Sequence, residues 1–351
     1  MELQNFIDTN SDYINLFKKE GFKVTKYKKL ILVKNYYDNP LTFNEDNYWK
    51  MYCRGAIIDT ENNKVICLPP PKSIEIKELE KDYTFLGTEI QYLIDGTMIN
   101  LFYKYDQWLI STRSEIGGYN KWINNKSFKQ MFEDCCDIEY DKLDKDCSYS
   151  FVMKHKDNRN ISPIRKNEVY LVEIYKFTDK IERILNNDYP ENIQKINNKS
   201  FLPDNDLFDS YEIKGFTIKE GNMRFKIINP LFERVKELKP NMNNHLLNYV
   251  ELRKNGNLKE YLKYFPENSK LFESYRNKVH SLSNDLYNNY KDTFIFKKKE
   301  KKEIPYNLKP FVNEIHKQYI RTKKPISWED IKTYIHNLNS KRLVFALNYS
   351  E

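Results

Sequence analysis

The segment QYLIDGTMINLFYKYDQWLISTRS (residues 91–114) decides how this chain is read. After Asp95-Gly96-Thr97 come two runs rich in β-branched and aromatic residues, MINLFYK and QWLISTR, separated at Tyr105-Asp106. Two such runs joined by a short turn predict an antiparallel hairpin, and the Asp-Gly pair marks the entry to its first strand. Taken alone, Asp95-Gly96 is an ordinary turn.

The segments on either side extend the pattern. KLILVKNYYD (29–38) is rich in β-formers. CRGAIIDTENNKVICLPPPK (53–72) predicts a strand to Asp59, a turn at Glu61-Asn62-Asn63 and a strand through Ile66. Pro69-Pro70-Pro71 then ends the ladder, because proline has no N–H to donate. SYSFVMKH and EVYLVEIYKF predict another antiparallel pair, and EIKGFTIKEGNMRFKII (212–228) a hairpin turning at Glu220-Gly221-Asn222. From about Leu231 the period becomes helical. Leu271, Tyr275, Val279, Leu282, Leu286 and Tyr290 mark one face of a long helix, and Leu308, Phe311, Val312, Ile315 and Tyr319 mark another. Ser327 with Asp330 predicts a capping box opening a helix through Leu338. KKKEKK (297–302) is most simply a solvated linker. The expectation is an α+β protein, with an antiparallel-sheet domain over 1–235 and an all-helical domain over 236–351.

Composition sets limits. A chain of 351 residues that is 40% hydrophobic and 15% aromatic supports a sizeable core. With 9 glycines and no GxxxxGK[ST] or GxGxxG, it carries no glycine-rich phosphate loop. The formal charge of +8 favours an anionic partner. Cys53, Cys67, Cys135, Cys136 and Cys147 are odd in number and lack CxxC spacing, so the reading is a reducing compartment without disulfides or a zinc site. No signal peptide is visible, and no apolar run approaches membrane-spanning length. The expected location is cytosolic, with no membrane contact.

Taken in order, several segments resemble the ATP-dependent RNA ligases of the bacteriophage tRNA-repair type, which have cousins in large DNA viruses. YCRGAIID is similar to that family's ECRGIIFD, LPPPKSIEI to RPFPKFFNL, and FVMKHKDNRNI to FELVHPENRIV. YLIDGT stands where the family has Lys-x-Asp-Gly-[Ser/Thr], and ISTRS where it has TKGS. EIKGFTI followed by MRFKI resembles the paired last motifs, Glu-Gly-x-Val and Lys-x-Lys. The tail, PYNLKPFVNEIHKQYI with PISWEDIKTYIHNLNSKRLVFALNY, resembles the helical extension of similar large-virus proteins. The resemblance implies an RNA ligase-like nucleotidyltransferase domain ahead of the helical one, and a location in the host cytosol or the virion.

It also implies a chemistry. In that family an unprotonated lysine amine attacks the α-phosphate of ATP, carboxylates hold the metal and the ribose, and basic side chains neutralise the phosphates. By this alignment Leu93 replaces the nucleophile, Val152 the carboxylate of FELV, and Lys214 the carboxylate of the Glu-Gly motif. Three losses at the three most chemical positions point to a fold kept and a catalysis lost. No residue is then assigned as catalytic or as a metal ligand, and ATP and Mg²⁺ are implied only if activity is retained.

The resemblance gives the remaining pocket positions to Arg54, Lys72, Asp95, Gly96, Arg113, Lys214, Arg224 and Lys226, lining a basic site suited to a nucleotide, a phosphate or an RNA end. Read without it, Arg54, Lys72, Arg224 and Lys226 are solvent-facing strand charges, Lys214 is a surface lysine, and Leu93 and Val152 are plain core. The functional expectation is a ligase-like protein without lysine adenylylation that binds RNA 5′-phosphate or 3′ ends, a nucleotide, or a protein partner. Two alternatives stay open. One is an active ligase whose nucleophile has moved to Lys214, Lys72 or Lys104. The other is a viral scaffold or interaction protein with no nucleic-acid role.

Overall fold

The computed structural model describes residues 1–36, 45–76, 89–121, 125–191, 193–199, 208–239 and 244–348. Two short helices, α1 (Glu2–Thr9) and α2 (Tyr13–Lys19), precede a first sheet. Its strands are β1 (Phe22–Tyr27), β2 (Leu30–Asn35), β3 (Arg54–Asp59) and β4 (Lys64–Cys67), each antiparallel to the next. There follow β5 (Ile74–Glu75), β6 (Glu89–Tyr92), β7 (Thr97–Lys104), β8 (Gln107–Ser111), α3 (Phe128–Cys135), β9 (Cys147–Lys154), β10 (Glu168–Phe177), β11 (Ile181–Ile184), β12 (Gly215–Glu220) and β13 (Met223–Ile228). The second sheet has the order β11-β10-β9-β7-β8 and is antiparallel throughout. The third has the order β5-β13-β12-β6, with the short β5 parallel to β13 and the other pairs antiparallel. Helices α4 (Pro230–Leu238), α5 (His245–Lys254), α6 (Leu258–Tyr264), α7 (Ser269–Tyr290), α8 (Lys309–Thr322), α9 (Trp328–Asn337) and α10 (Ser340–Asn348) complete the chain. The architecture is α+β, antiparallel sheets followed by a helical region. Contacts divide it into two compact units, Met1–Arg234 and Val235–Glu351.

β2 shows why its sequence reads as a near-continuous apolar run, since both of its faces are covered. Ile31 and Val33 pack with Ala56 and Ile58 and with Leu3 and Phe17 of the N-terminal helices. Leu30 and Leu32 pack on the other face with Ile57, Phe102 and Leu109. The second sheet buries Ile99, Leu101, Phe151 and Met153 against Met131 and Phe132 of α3. That helix opens with a reciprocal cap in which Ser127 Oγ accepts from the Gln130 N–H at 3.2 Å and Gln130 Oε1 accepts from the Ser127 N–H at 2.9 Å.

The hairpin of residues 91–114 forms as the sequence predicts. Lys104 pairs with Gln107 across Tyr105 and Asp106, both at φ +56°, the mirror-image turn that suits the right-handed twist of two strands. A tyrosine at positive φ is uncommon. This one is held by packing on the apolar face of the first sheet and by its hydroxyl, which accepts from the Lys29 N–H at 3.3 Å.

The Asp95-Gly96 turn has a further physical reason. A Cβ on Gly96 would stand 2.4 Å from the Met153 carbonyl oxygen, so the start of β7 approaches β9 closer than any side chain allows.

In the helical unit, α7 buries Phe272, Val279, Leu282, Leu286 and Tyr290. Leu271 and Tyr275 are half-buried, and Phe272 takes the position the spacing gave to Leu271. α8 buries Phe311, Val312 and Ile315, while Tyr319 is exposed. Ser327 and Asp330 form the expected capping box at the start of α9. No helix among the described residues is long and apolar enough to cross a membrane.

Gly215 and Gly221 separate backbone conformation from crowding. Gly221, at φ +55°, has nothing within 4 Å of an added Cβ, whereas Gly215, at φ +147°, would place its Cβ 2.0 Å from the Ile227 carbonyl oxygen. Gly221→Ala is expected to cost about 1–2 kcal/mol, the left-handed penalty. Gly215→Ala should cost a further ~1–3 kcal/mol for overpacking. Urea unfolding of the two variants checks the order.

Candidate nucleotide and phosphate site

The third sheet carries the positions that matter. Residues directly opposite on neighbouring strands share a face. The pairs Lys219 with Glu89, Lys219 with Arg224, Thr217 with Gln91 and Thr217 with Lys226 therefore put all six side chains on one face. Leu93, two residues beyond Gln91, continues the ladder, its N–H donating to the Gly215 carbonyl at 2.9 Å.

Most of that face is closed on itself. Glu173 of β10 accepts from Arg183 Nε at 2.6 Å and lies 3.5 Å from Lys219 Nζ. Arg183 also pairs with Glu89, whose other oxygen accepts from the Asn186 N–H at 2.7 Å. Lys219 Nζ donates to the Val172 carbonyl at 2.6 Å, and Arg224 Nε donates to Thr217 Oγ1 at 3.0 Å. The Glu173 and Lys219 side chains are each 2% exposed. Burial pushes Glu173 up, but Lys219, Arg183 and Arg224 outweigh it and hold the carboxyl below its usual range. Burial pulls Lys219 down to about 8 against the opposing pull of Glu173. Sequence reasoning missed Glu89, Glu173, Arg183 and Lys219. The signal was a single charge inside an apolar strand, in LVEIY and in FTIKE.

Of the three positions that the resemblance gives to the chemistry, Leu93 is half-buried, and Val152 and Lys214 are engaged by neighbouring side chains. Val152 packs with Val172 and Ile196, and Tyr92, Ile94, Met98 and Tyr170 surround them, leaving an apolar patch where the resemblance puts a carboxylate. Asp95 Oδ2 accepts from the Ile161 and Ser162 N–H groups at 2.8 and 3.0 Å. Its Oδ1 lies 3.7 Å from Lys214 Nζ. Asp95 thus ties a loop to β7, and a cation stands against it. These residues do not suit Mg²⁺: the available carboxylate is committed to two amides and a lysine, and the facing position is valine. Among the described residues no group of three or more His, Cys, Asp or Glu could hold a metal.

A different set remains basic. Burial, then Arg54 and Lys226, push the Lys72 amine below its usual range, so both cations act on it electrostatically. Lys226 Nζ meets Glu75 at 2.7 Å. Arg113 donates to the Asn35 carbonyl and to Asn35 Oδ1 at 2.9 and 2.6 Å. Burial, then Lys23 and Arg113, push Lys34 down as well. The structure therefore gathers Arg54, Lys72 and Lys226, with Arg113 near Lys34. It puts Arg224 in the buried network and Asp95 with Lys214. Lys104 pairs with Asp59 at 2.6 Å. His155 is buried, its Nδ1 accepting from the Asp157 N–H at 3.0 Å, a structural role.

The class defined so far is an α+β protein of antiparallel sheets with a charge-filled interior face and a basic cluster beside it. No family model matches the chain. It is 24% identical over 285 residues to the immediate-early protein ICP-46 homolog of Invertebrate iridescent virus 3, covering 73% of this chain and 62% of that protein. The chain thus spans less than two thirds of that relative's length. Among solved structures it is similar to an archaeal ATP-dependent RNA ligase, at 11% identity over 78% of this chain and 72% of that one, with a TM-score of 0.47. It is also similar to a Naegleria gruberi RNA ligase, at 14% identity over 51% of this chain and 66% of that one, with a TM-score of 0.30.

The buried network makes stability depend on pH. Lys219 titrates near 8 when folded and near 10.5 when free, so between these values the unfolded chain holds more protons and stability rises with pH. Glu173, held below 4.5, contributes stability above that pH that is lost as pH falls through its folded pKa. The difference in unfolding free energy between wild type and Lys219→Met, measured from pH 7.5 to 9.5, should grow in favour of wild type by on the order of 2 kcal/mol. Taking the difference cancels the buried tyrosines, which titrate in both proteins.

Proposed function

We propose that this protein is a ligase-like nucleotidyltransferase that has lost lysine adenylylation and binds a phosphate-bearing RNA end or a nucleotide at Arg54, Lys72 and Lys226. One observation carries the reading: of the three positions that the resemblance gives to the chemistry, Leu93, Val152 and Lys214, the last two are engaged by their neighbours rather than left open. Val152 belongs to an apolar patch and Lys214 faces Asp95. Leucine offers no lone pair to a phosphorus atom, and Asp95, the carboxylate described beside it, is already bonded to two amides and paired with Lys214.

The cationic cluster supports the binding half. Lys72 is held close enough to Arg54 and Lys226 to be shifted by them, and a dianionic phosphate there would relieve that repulsion. The viral relative supports a role in a large DNA virus. Arg113 flanks the cluster, while Arg224, Asp95 and Gly96 hold the fold around it.

The test is incubation with radiolabelled ATP or GTP and Mg²⁺ or Mn²⁺, followed by a denaturing gel. No labelled band is expected from the wild type, and none from Leu93→Lys, because one restored amine leaves Val152 and Lys214 in place. A wild-type band would overturn the reading, and mapping of the adduct would then begin at Lys72 and Lys214.

A further inference from the structure

The first sheet carries like charges where sheets normally avoid them. Lys23 of β1 pairs directly with Lys34 of β2, and Lys34 pairs with Arg54 of β3. Directly opposed residues stand about 5 Å apart at Cβ, and like charges there destabilise a sheet. A lysine on an edge strand has a simple purpose, blocking edge-to-edge association. That accounts for Lys23, because β1 is an edge, but β2 and β3 are interior strands.

The three residues lie on one face. Leu30 and Leu32, which share a face of β2 with Lys34, pack on Phe102 and Leu109. The apolar packing between the first two sheets thus stops at Lys34, and cations begin. Lys34 Nζ donates to Ser114 Oγ at 2.7 Å, which fixes the ammonium beside Arg113. Beyond Arg54, Lys72 is tied to the segment just before β3 by its N–H, which donates to the Met51 carbonyl at 2.9 Å, and Lys226 meets Glu75 on β5, two residues after Ser73. Tyr36, the residue after β2, is 55% exposed.

We infer that Lys23, Lys34, Arg54, Lys72 and Lys226 form a track for the phosphodiester backbone of a single-stranded nucleic acid. The inference deepens the proposed function, resting on it for the phosphate end at Lys72 and Lys226, and adds the path of the strand across the first sheet. Strand spacing sets Lys23, Lys34 and Arg54 about 5 Å apart in a single row across the first sheet. One row matches one backbone, whereas a duplex presents two. An exposed tyrosine beside the row is the stacking surface that single-strand sites combine with a basic groove. Binding a polyanion turns each like-charge opposition into two favourable contacts and releases counterions.

The experiment is fluorescence anisotropy of a labelled 5′-phosphorylated oligouridylate over a series of salt concentrations, with wild type and the double variant Lys23→Gln/Lys34→Gln. Glutamine keeps a hydrogen-bond donor on an uncharged side chain one atom shorter, and removing two opposed charges should leave the melting temperature equal or higher. The slope of log Kd against log salt is expected to fall by about 1.4, roughly 0.7 for each lost phosphate contact on a single strand. An unchanged slope in the folded variant overturns the track, and so does equal affinity for a duplex of the same length. Binding to phosphatidylserine vesicles without binding to the oligonucleotide also overturns it. A nucleotide adduct in the labelling assay would overturn the silent site and leave the track standing.

Discussion

Glu173 is a carboxylate with 2% of its side chain exposed, held by cations from two sheets. Arg183 reaches it from β11 of its own sheet and Lys219 from β12 of the third. Taking an isolated carboxylate out of water costs several kcal/mol, so the burial of Glu173 requires both partners. Arg183 in turn accommodates Glu89 of β6, so one arginine fixes carboxylates on two sheets. Apolar contacts alone would let these sheets slide. A directional ion network fixes their register, and removing one member would leave a buried charge unmatched.

Two electrostatic regimes follow within Met1–Arg234. In the interior network three cations face two carboxylates, and each group is bonded to a neighbour or to a backbone carbonyl. Such a site is satisfied without a ligand. At the end of the first sheet Lys23, Lys34 and Arg54 stand in register, and Lys34 and Lys72 have amines pushed down by burial and by neighbouring cations. On the proposed reading, an anion bound there would offset the mutual repulsion of these cations.

The fold was largely legible because its signals are local. Strand runs, the Tyr105-Asp106 turn and the Ser327–Asp330 box each depend on residues a few positions apart. The site was less legible because it is assembled from register. Nothing within KLILVKN says that Lys34 will stand between Lys23 and Arg54; that follows from the pairing of three strands and a bulge at Gly55, whose φ is +113°. Motif order brought Arg224 and Lys226 forward as a pair, and the two do share a face. The carboxylate on the next sheet then draws Arg224 into the buried network, and Lys226 goes to Glu75. The NYYD half of the second predicted segment falls partly outside the described residues.

On the proposed reading, the three replacements constrain one another physically. A carboxylate at residue 152 would be buried among Val172, Ile196 and Met98, and without a metal or a lysine facing it the cost of its charge would be uncompensated. Valine removes that cost and adds packing between β7, β9 and β10. Asp95 has a separate duty, because its two amide bonds hold residues 161 and 162 against β7, so its charge persists. Lys214 supplies the neutralising partner that a metal-bound site would otherwise provide. Once the amine at residue 93 is gone, the remaining groups are more stable as an apolar patch and an ion pair than as an empty metal site. Restoring catalysis would therefore mean reversing the whole set, against the packing that now joins them.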